Sequence, residues 1–269
     1  MSLSIQGKTA IVTGAARGIG LAIARHFAAV GANVMFADSD EAALETELGA
    51  DAAAEGPIRA FAGDLGQKLT LANLVSATID AFDRVDILVN AHRMVQGCDP
   101  LAVSEDMLAE MLRQNMISGL RLSQMVAKRM LAQVEHSDTP PLQSGAIVNV
   151  TSLAADWPQP QMLAYSIASA AQAQATRSLA AALAPQRIRV NGVAFASIMS
   201  NNMQLKLRED PGLRDRMIAA TPLGRIAGAD ELAGTVQFLA SEASGFITGQ
   251  ILRVDGGRSL GDPLAPGVY

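Results

Sequence analysis

Seven short runs rich in apolar and β-branched residues alternate with longer stretches of helical periodicity, and few folds accommodate that alternation. The runs are Thr9–Thr13, Asn33–Ala37, Ile58–Ala62, Ile87–Asn90, Ala146–Val150, Arg189–Val193 and Gln250–Val254. Helical spacing falls near 18–30, 40–53, 67–82, 101–134, 161–184 and 229–241. Strand, helix and strand again, repeated this often, means crossover units and a parallel sheet with helices on both faces. The near-continuous apolar strands suit burial on both sides. The fold expected is α/β, a seven-stranded doubly wound parallel sheet in a single domain over 1–269. No Pro/Gly/Ser linker divides it, and the polar stretch VEHSDTPPLQSG at 134–145 reads as a surface loop.

Hydrophobic residues make up 49% of the chain and aromatics only 4%, so the core is aliphatic and alanine-rich. A formal net charge of −5 argues against a nucleic-acid surface, which needs clustered Lys and Arg. Lone Cys98 forms no internal disulfide, in keeping with a reducing compartment. The start, MSLSIQGKTAIVTG, has no leader pattern. The uncharged span Trp157–Thr176 holds Pro158, Pro160 and four glutamines, a poor membrane helix. A soluble cytoplasmic protein is expected. Three histidines (His26, His92, His136) and one cysteine show no metal-ligand spacing, so no metal is expected.

The first strand runs into TGAARGIG at 13–20 and then a helix. In that setting Gly14 permits a sharp exit from the strand, Gly18 lets backbone approach a dinucleotide, and Gly20 lets the helix pack closely. The turn at Arg17 and Ile19 thereby presents a helix N-terminus to a pyrophosphate. Asp38, 18 residues after Gly20, ends the second strand. Its carboxylate either accepts from the adenosine ribose hydroxyls or caps the next helix; the ribose role points to NAD rather than NADP. Arg17, able to approach a phosphate, counts slightly the other way.

With these features, Gly63-Asp64-Leu65, Asn115, Ser152, Tyr165, RIRVNGVA at 187–194 and the ending ITGQILRVDGG, the chain resembles the short-chain dehydrogenase/reductase family from Gly7 to Gly257. A general likeness to 3-oxoacyl-carrier reductases is also visible. The resemblance implies a Rossmann-type sheet, association as a dimer or homotetramer, and a catalytic Asn–Ser–Tyr–Lys set. It assigns Asn115, Ser152 and Tyr165 to catalysis, Asp64 and Leu65 to the adenine, and Asn90 to the loop beneath the cofactor. It also implies that helices 101–134 and 161–184 meet a second subunit.

Three places depart from the family pattern. Asn-Asn-Ala-Gly reads Asn90-Ala91-His92-Arg93, the lysine four residues after Tyr165 is Ser169, and Pro-Gly after the sixth strand reads Phe195-Ala196. All border the nicotinamide end. A free tyrosine titrates near pH 10, so about one part in a thousand is phenolate at neutrality, and an adjacent cation favours that form. Ser169, placed beside the nicotinamide ribose, offers a hydrogen bond without charge. His92 and Arg93 either compensate or point into solvent. Leu153, Trp157, Met162, Phe195, Met199, Met203 and Leu205 border an apolar substrate site, with a lid expected over about 194–220 and Asp156 facing solvent. Two functions follow: an NAD-dependent oxidoreductase of alcohols or ketones with a weakened or rebuilt proton relay, or a catalytically silent dinucleotide-binding sensor or assembly subunit.

Overall fold

The computed structural model describes residues 2–53, 56–135 and 142–260. Residues 136–141 of the polar loop at 134–145, with His136, lie outside them. Strands β1 (Thr9–Thr13), β2 (Asn33–Asp38), β3 (Ile58–Ala62), β4 (Ile87–Asn90), β5 (Gly145–Ser152), β6 (Ile188–Phe195) and β7 (Ile251–Val254) form one sheet in the order β3-β2-β1-β4-β5-β6-β7. Every pairing is parallel. The seven-stranded doubly wound sheet expected from the sequence is therefore the architecture found.

Neighbouring residues on a strand point to opposite faces, and this assigns the two cores. Val12, Phe36, Val89 and Val148 face α1 (Gly18–Ala29) and the carboxyl-terminal helix 229–240 through Ile23, Phe27, Leu232 and Val236. Ile11, Met35, Leu88 and Ile147 face the other way, onto Leu71, Leu74, Leu122 and Val126. His26 of α1 meets Gln237 at 2.7 Å, a tie between two helices of the first layer.

The sequence expectation of one helix over 40–53 gives way to α2 (Glu41–Leu48) and α3 (Ala50–Ala53), because Gly49 takes a left-handed φ of 44°. After α4 (Lys68–Phe82), the helix expected over 101–134 starts later. The Ser104 hydroxyl accepts from Met107 N–H and caps α5 (Glu105–Leu112). A π turn over Arg113–Ile117 then separates α5 from α6 (Ser118–Glu135). Such turns favour functional sites, and this one holds Asn115. Beyond α7 (Leu163–Leu183), the segment after β6 carries two helices that the sequence reading did not anticipate, α8 (Asn201–Glu209) and α9 (Leu213–Ala219), followed by α10 (Ala229–Ala240). No helix among the described residues is long and apolar enough to cross a membrane. None of their His, Cys, Asp and Glu side chains cluster as a metal site.

Candidate active site

The strand order reverses between β1 and β4, and ligands of open α/β sheets bind at the carboxyl edge of such a switch point. Thr13, Asn90, Ser152 and Phe195 end β1, β4, β5 and β6 on that edge, and Ser152 and Phe195 are register partners.

One groove of about 530 Å³ is lined by Gly14, Ala16, Arg17, Gly18, Ile19, Gly20, Asp38, Ser39, Asp40, Ala91, His92, Arg93, Met94, Gln114 and Ser200. Gly14 has φ 68°, and a Cβ there would stand 2.7 Å from the His92 Cα. Arg17 precedes α1 without a side-chain cap, and the first turn of α1 carries no acid. Its free N–H groups and positive dipole end are left for an anion, so these residues fit a dinucleotide pyrophosphate.

Asp38 does not cap a helix. Asp40 does, accepting from Ala43 N–H at 3.0 Å. The Asp38 carboxylate accepts from Ala16 N–H at 3.0 Å and from Asp40 N–H at 3.1 Å, which ties the glycine turn to the end of β2. Arg17 pairs with Asp40 at 2.5 Å. Asp64, Leu65, Asn90 and Ser169 do not line the groove. Asp64 accepts from Gly66 N–H at 2.8 Å, which holds its carboxyl below the usual carboxylate range, with Gln67 and Arg113 adding to the effect. Leu65 is buried in the core beside α4. Asn90 is fully buried, its amide donating to Asn149 Oδ1 (2.8 Å), Ser123 Oγ (3.0 Å) and Gly119 C=O (3.4 Å). Its side chain thus joins β4 to β5 and α6, and only its backbone borders the edge.

The loop after β4 is held from two sides. Asn115 accepts from Met94 N–H at 2.6 Å and donates to Met94 C=O at 2.8 Å. Its side chain clamps the loop that carries His92 and Arg93. Ser118 donates to Gln114 C=O at 2.7 Å, so at 2.6 Å it accepts from His92 Nε2–H. His92 Nδ1 then accepts from Thr13 Oγ1 at 2.7 Å, the shorter of that hydroxyl's two donor contacts. This chain suits a neutral imidazole, and burial pushes the His92 pKa down to about 4. His92 carries no charge at neutral pH and does not replace a lysine.

A second cavity, of about 540 Å³, adjoins the groove and shares Arg93 and Ser200 with it. Ser152, Tyr165, Leu153, Trp157, Met162, Phe195 and Met203 line it, as the sequence suggested; Met199 and Leu205 do not, and Leu205 is exposed. Asp156 is engaged by Arg253 at 3.0 Å. The Tyr165 ring is buried against Met111, Ala154, Ala164 and Ala168, and its hydroxyl has no hydrogen-bond partner among the described residues. Ser152 Oγ accepts from Ala154 N–H at 3.2 Å and retains its own proton. Ser169 donates back to Tyr165 C=O at 2.8 Å, four residues earlier in α7, and is buried. That is the usual habit of a mid-helix serine.

What the sequence does not show is which of these residues meet. Arg93 lies over the Phe195 ring at 4.4 Å, so two of the three departures from the family pattern touch each other. Such a stack is worth about 0.5–2 kcal/mol, and a charge-assisted hydrogen bond about 1.5–3 kcal/mol. An arriving anion or ribose hydroxyl can therefore compete for the guanidinium.

A family model described as Enoyl-(Acyl carrier protein) reductase matches residues 14–259. Galactitol 2-dehydrogenase (L-tagatose-forming) of Cereibacter sphaeroides is 36% identical over 261 residues, 95% of this chain and 96% of its own. The 7alpha-hydroxysteroid dehydrogenase of Escherichia coli is 32% identical over 256 residues, 95% and 96% of the two chains. A crystal structure of 7alpha-hydroxysteroid dehydrogenase with NADH and 7-oxo glycochenodeoxycholic acid has a TM-score of 0.85 at 31% identity, covering 95% of each chain. A gluconate 5-dehydrogenase from Burkholderia cenocepacia, in complex with NADP and tartrate, has a TM-score of 0.86 at 27% identity, over 97% of this chain and 98% of that one. The catalytically silent alternative is not favoured by this company. From the glycine turn through Ser152 and Tyr165 to the last strand, the chain belongs to the short-chain dehydrogenase/reductase family and is an oxidoreductase.

Proposed function

We propose that the protein interconverts an alcohol and a ketone with NAD(H), Tyr165 moving the proton and Arg93 supplying the cation that Ser169 lacks. The observation carrying this reading is the shared lining: Tyr165 and Ser152 border the second cavity, and Arg93 borders both that cavity and the glycine-turn groove. A bound nicotinamide would supply or accept the hydride. Ser152 Oγ–H donates to the substrate oxygen, and the Tyr165 hydroxyl gives that oxygen a proton in reduction, becoming the phenolate that takes the proton back in oxidation. Arg93, half-buried on Phe195, brings a permanent positive charge to the cavity lining that Tyr165 shares. Asn115 acts through Met94, fixing the loop from which Arg93 projects. Helices α8 and α9 serve as the lid over 194–220, since Ser200, Met203 and Met217 line the cavity.

NAD is the cofactor that the groove favours. Asp38 and Asp40 both line it, and the one arginine of the glycine turn is already paired with Asp40. A 2′-phosphate would meet two carboxylates. Asp38→Ser should weaken NADH by about tenfold or more, the loss of a charge-assisted hydrogen bond, and bring NADPH closer to NADH in fluorescence titrations. An unchanged NADH:NADPH ratio would remove Asp38 from the ribose site.

Arg93→Gln tests the cation. Alcohol oxidation at neutral pH should fall by about tenfold, the worth of one charge-assisted contact, and should recover as the pH is raised. Ser169→Lys in that background should restore the neutral rate. A flat pH profile identical to that of the unmodified enzyme would sink the assignment.

A further inference from the structure

We infer that the second cavity binds an anionic substrate, one with an apolar body and an oxyanion head, and that Arg258 receives the head. The inference rests on that cavity being the substrate site. Among the described residues that line it there are two arginines, Arg93 and Arg258, and no aspartate or glutamate. The protein as a whole is acidic, with a net charge of −5, so a lining with this bias runs against the composition. Neither arginine forms an ion pair among the described residues, whereas Arg17, Arg25, Arg84, Arg113, Arg216, Arg225 and Arg253 do. Arg121, Arg177, Arg208 and Arg214 form no ion pair either, but they are exposed, and water solvates them. Half-buried Arg129 and buried Arg189 also form none, but they donate to backbone carbonyls, of Asp83 and of Leu239 and Ser241, away from the cavity; Arg93 and Arg258 are half-buried and line it.

Arg258 is held in place. Asp255 accepts from Gly257 N–H (3.0 Å) and Ser259 N–H (2.9 Å), which folds the turn around it. Gly256 and Gly257 take φ of 61° and 84°, and a Cβ on Gly256 would stand 2.6 Å from Thr221 Cγ2, so the turn sits directly on the segment after α9. Arg258 donates to Ser197 Oγ at 3.3 Å. Thr221 donates its own proton to Met217 C=O at 2.7 Å, so Ser197 donates to Thr221 at 3.1 Å and is left as an acceptor for the guanidinium. Ser197 keeps a φ of 54°, unusual for a residue other than glycine. One neutral acceptor occupies one of the guanidinium's five N–H groups, and the rest suit a carboxylate or phosphate. Leu153, Trp157, Met162, Ile198, Met203 and Met217 supply the apolar wall.

Trp157 is the single tryptophan of the chain and lines the cavity, so its fluorescence reports occupancy without turnover. The enzyme, with and without NAD⁺, is titrated with octanoate, octyl phosphate and octan-1-ol, which share one apolar tail. At least one anion should bind tenfold or more tightly than the alcohol, and the stronger of the two tells whether the head is a carboxylate or a phosphoryl group. Arg258→Gln should bring that anion to the level of the alcohol and leave the alcohol unchanged, while Arg258→Lys should keep part of the preference. NADH affinity equal to that of the unmodified enzyme shows that the variants are folded. Equal binding of all three probes, or an anion preference that survives Arg258→Gln, would overturn the inference. Because the readout needs no chemistry, a failure of the Tyr165 assignment leaves this result standing, and the reverse holds too.

Discussion

Tyr165→Phe is expected to lower kcat for both ketone reduction and alcohol oxidation by about 10²–10⁴-fold, the usual worth of a positioned acid–base group. The value of kcat/KM should fall in step, because the lost interaction is made at the transition state rather than in substrate binding. The variant should fold as before. The ring packs on Met111, Ala154, Ala164 and Ala168, and the hydroxyl removed has no protein partner among the described residues. Steady-state assays with a panel of secondary alcohols and ketones, beside an NADH titration, make the check. Retention of more than about a third of the activity, well short of the expected acid–base contribution, would take Tyr165 out of the chemistry.

Gly20→Ala is expected to have the second large effect, on cofactor affinity and stability together. The added Cβ would lie 2.0 Å from Gly14 O and 3.1 Å from Thr13 O. Both are backbone atoms, so no side chain can swing aside. Overpacking of this kind costs about 1–3 kcal/mol or more, which corresponds to as much as 10²-fold in Kd when borne by the cofactor site. Gly234→Ala is the internal control: in α10 nothing lies within 4 Å of its Cβ, and alanine suits a helix better. Thermal melts and NADH titrations should separate the two variants clearly. Equal behaviour would mean that the glycine turn tolerates a looser approach of α1 to β1 than its geometry allows.

Much of the cofactor half was legible because its physics is local. TGAARGIG specifies strand, turn and helix within eight residues, and the glycines at 14 and 18 are needed for positive φ. Ser169 went the other way: the sequence sets its hydroxyl beside the nicotinamide ribose, whereas in the fold it donates to the carbonyl four residues back, as buried mid-helix serines do. Asp38 shows where local reading stops. Capping and ribose binding ask for the same side chain at a strand end, and only the position of Asp40 on Ala43 removes the capping role from Asp38. Two signals were present in the sequence and passed over. Ser104-Glu105-Asp106 is a helix start inside the stretch read as 101–134, and Ser200 starts α8 in the same way by accepting from Met203 N–H.

The candidate site divides along the same line. Asn115, Ser152 and Tyr165 are assigned by the family resemblance alone, and what Asn115 holds, the backbone of Met94 across 21 residues, is visible only in the fold. Asn90 matched a family position by number, whereas its side chain belongs to a buried amide chain reaching Asn149 and Thr176.

The sequence by itself determined the alternation of strand and helix, the two-faced sheet and the glycine turn, because periodicity and backbone sterics act over a few residues. Tertiary structure alone decided the charge of the site. It left His92 neutral by burying it between Thr13 and Ser118, brought Arg93 onto Phe195 from about a hundred residues away, and set Arg258 on Ser197 beside the same cavity. Charge and stacking depend on which groups share a low-dielectric space, and that space exists only once β1, β4, β5 and β6 lie side by side.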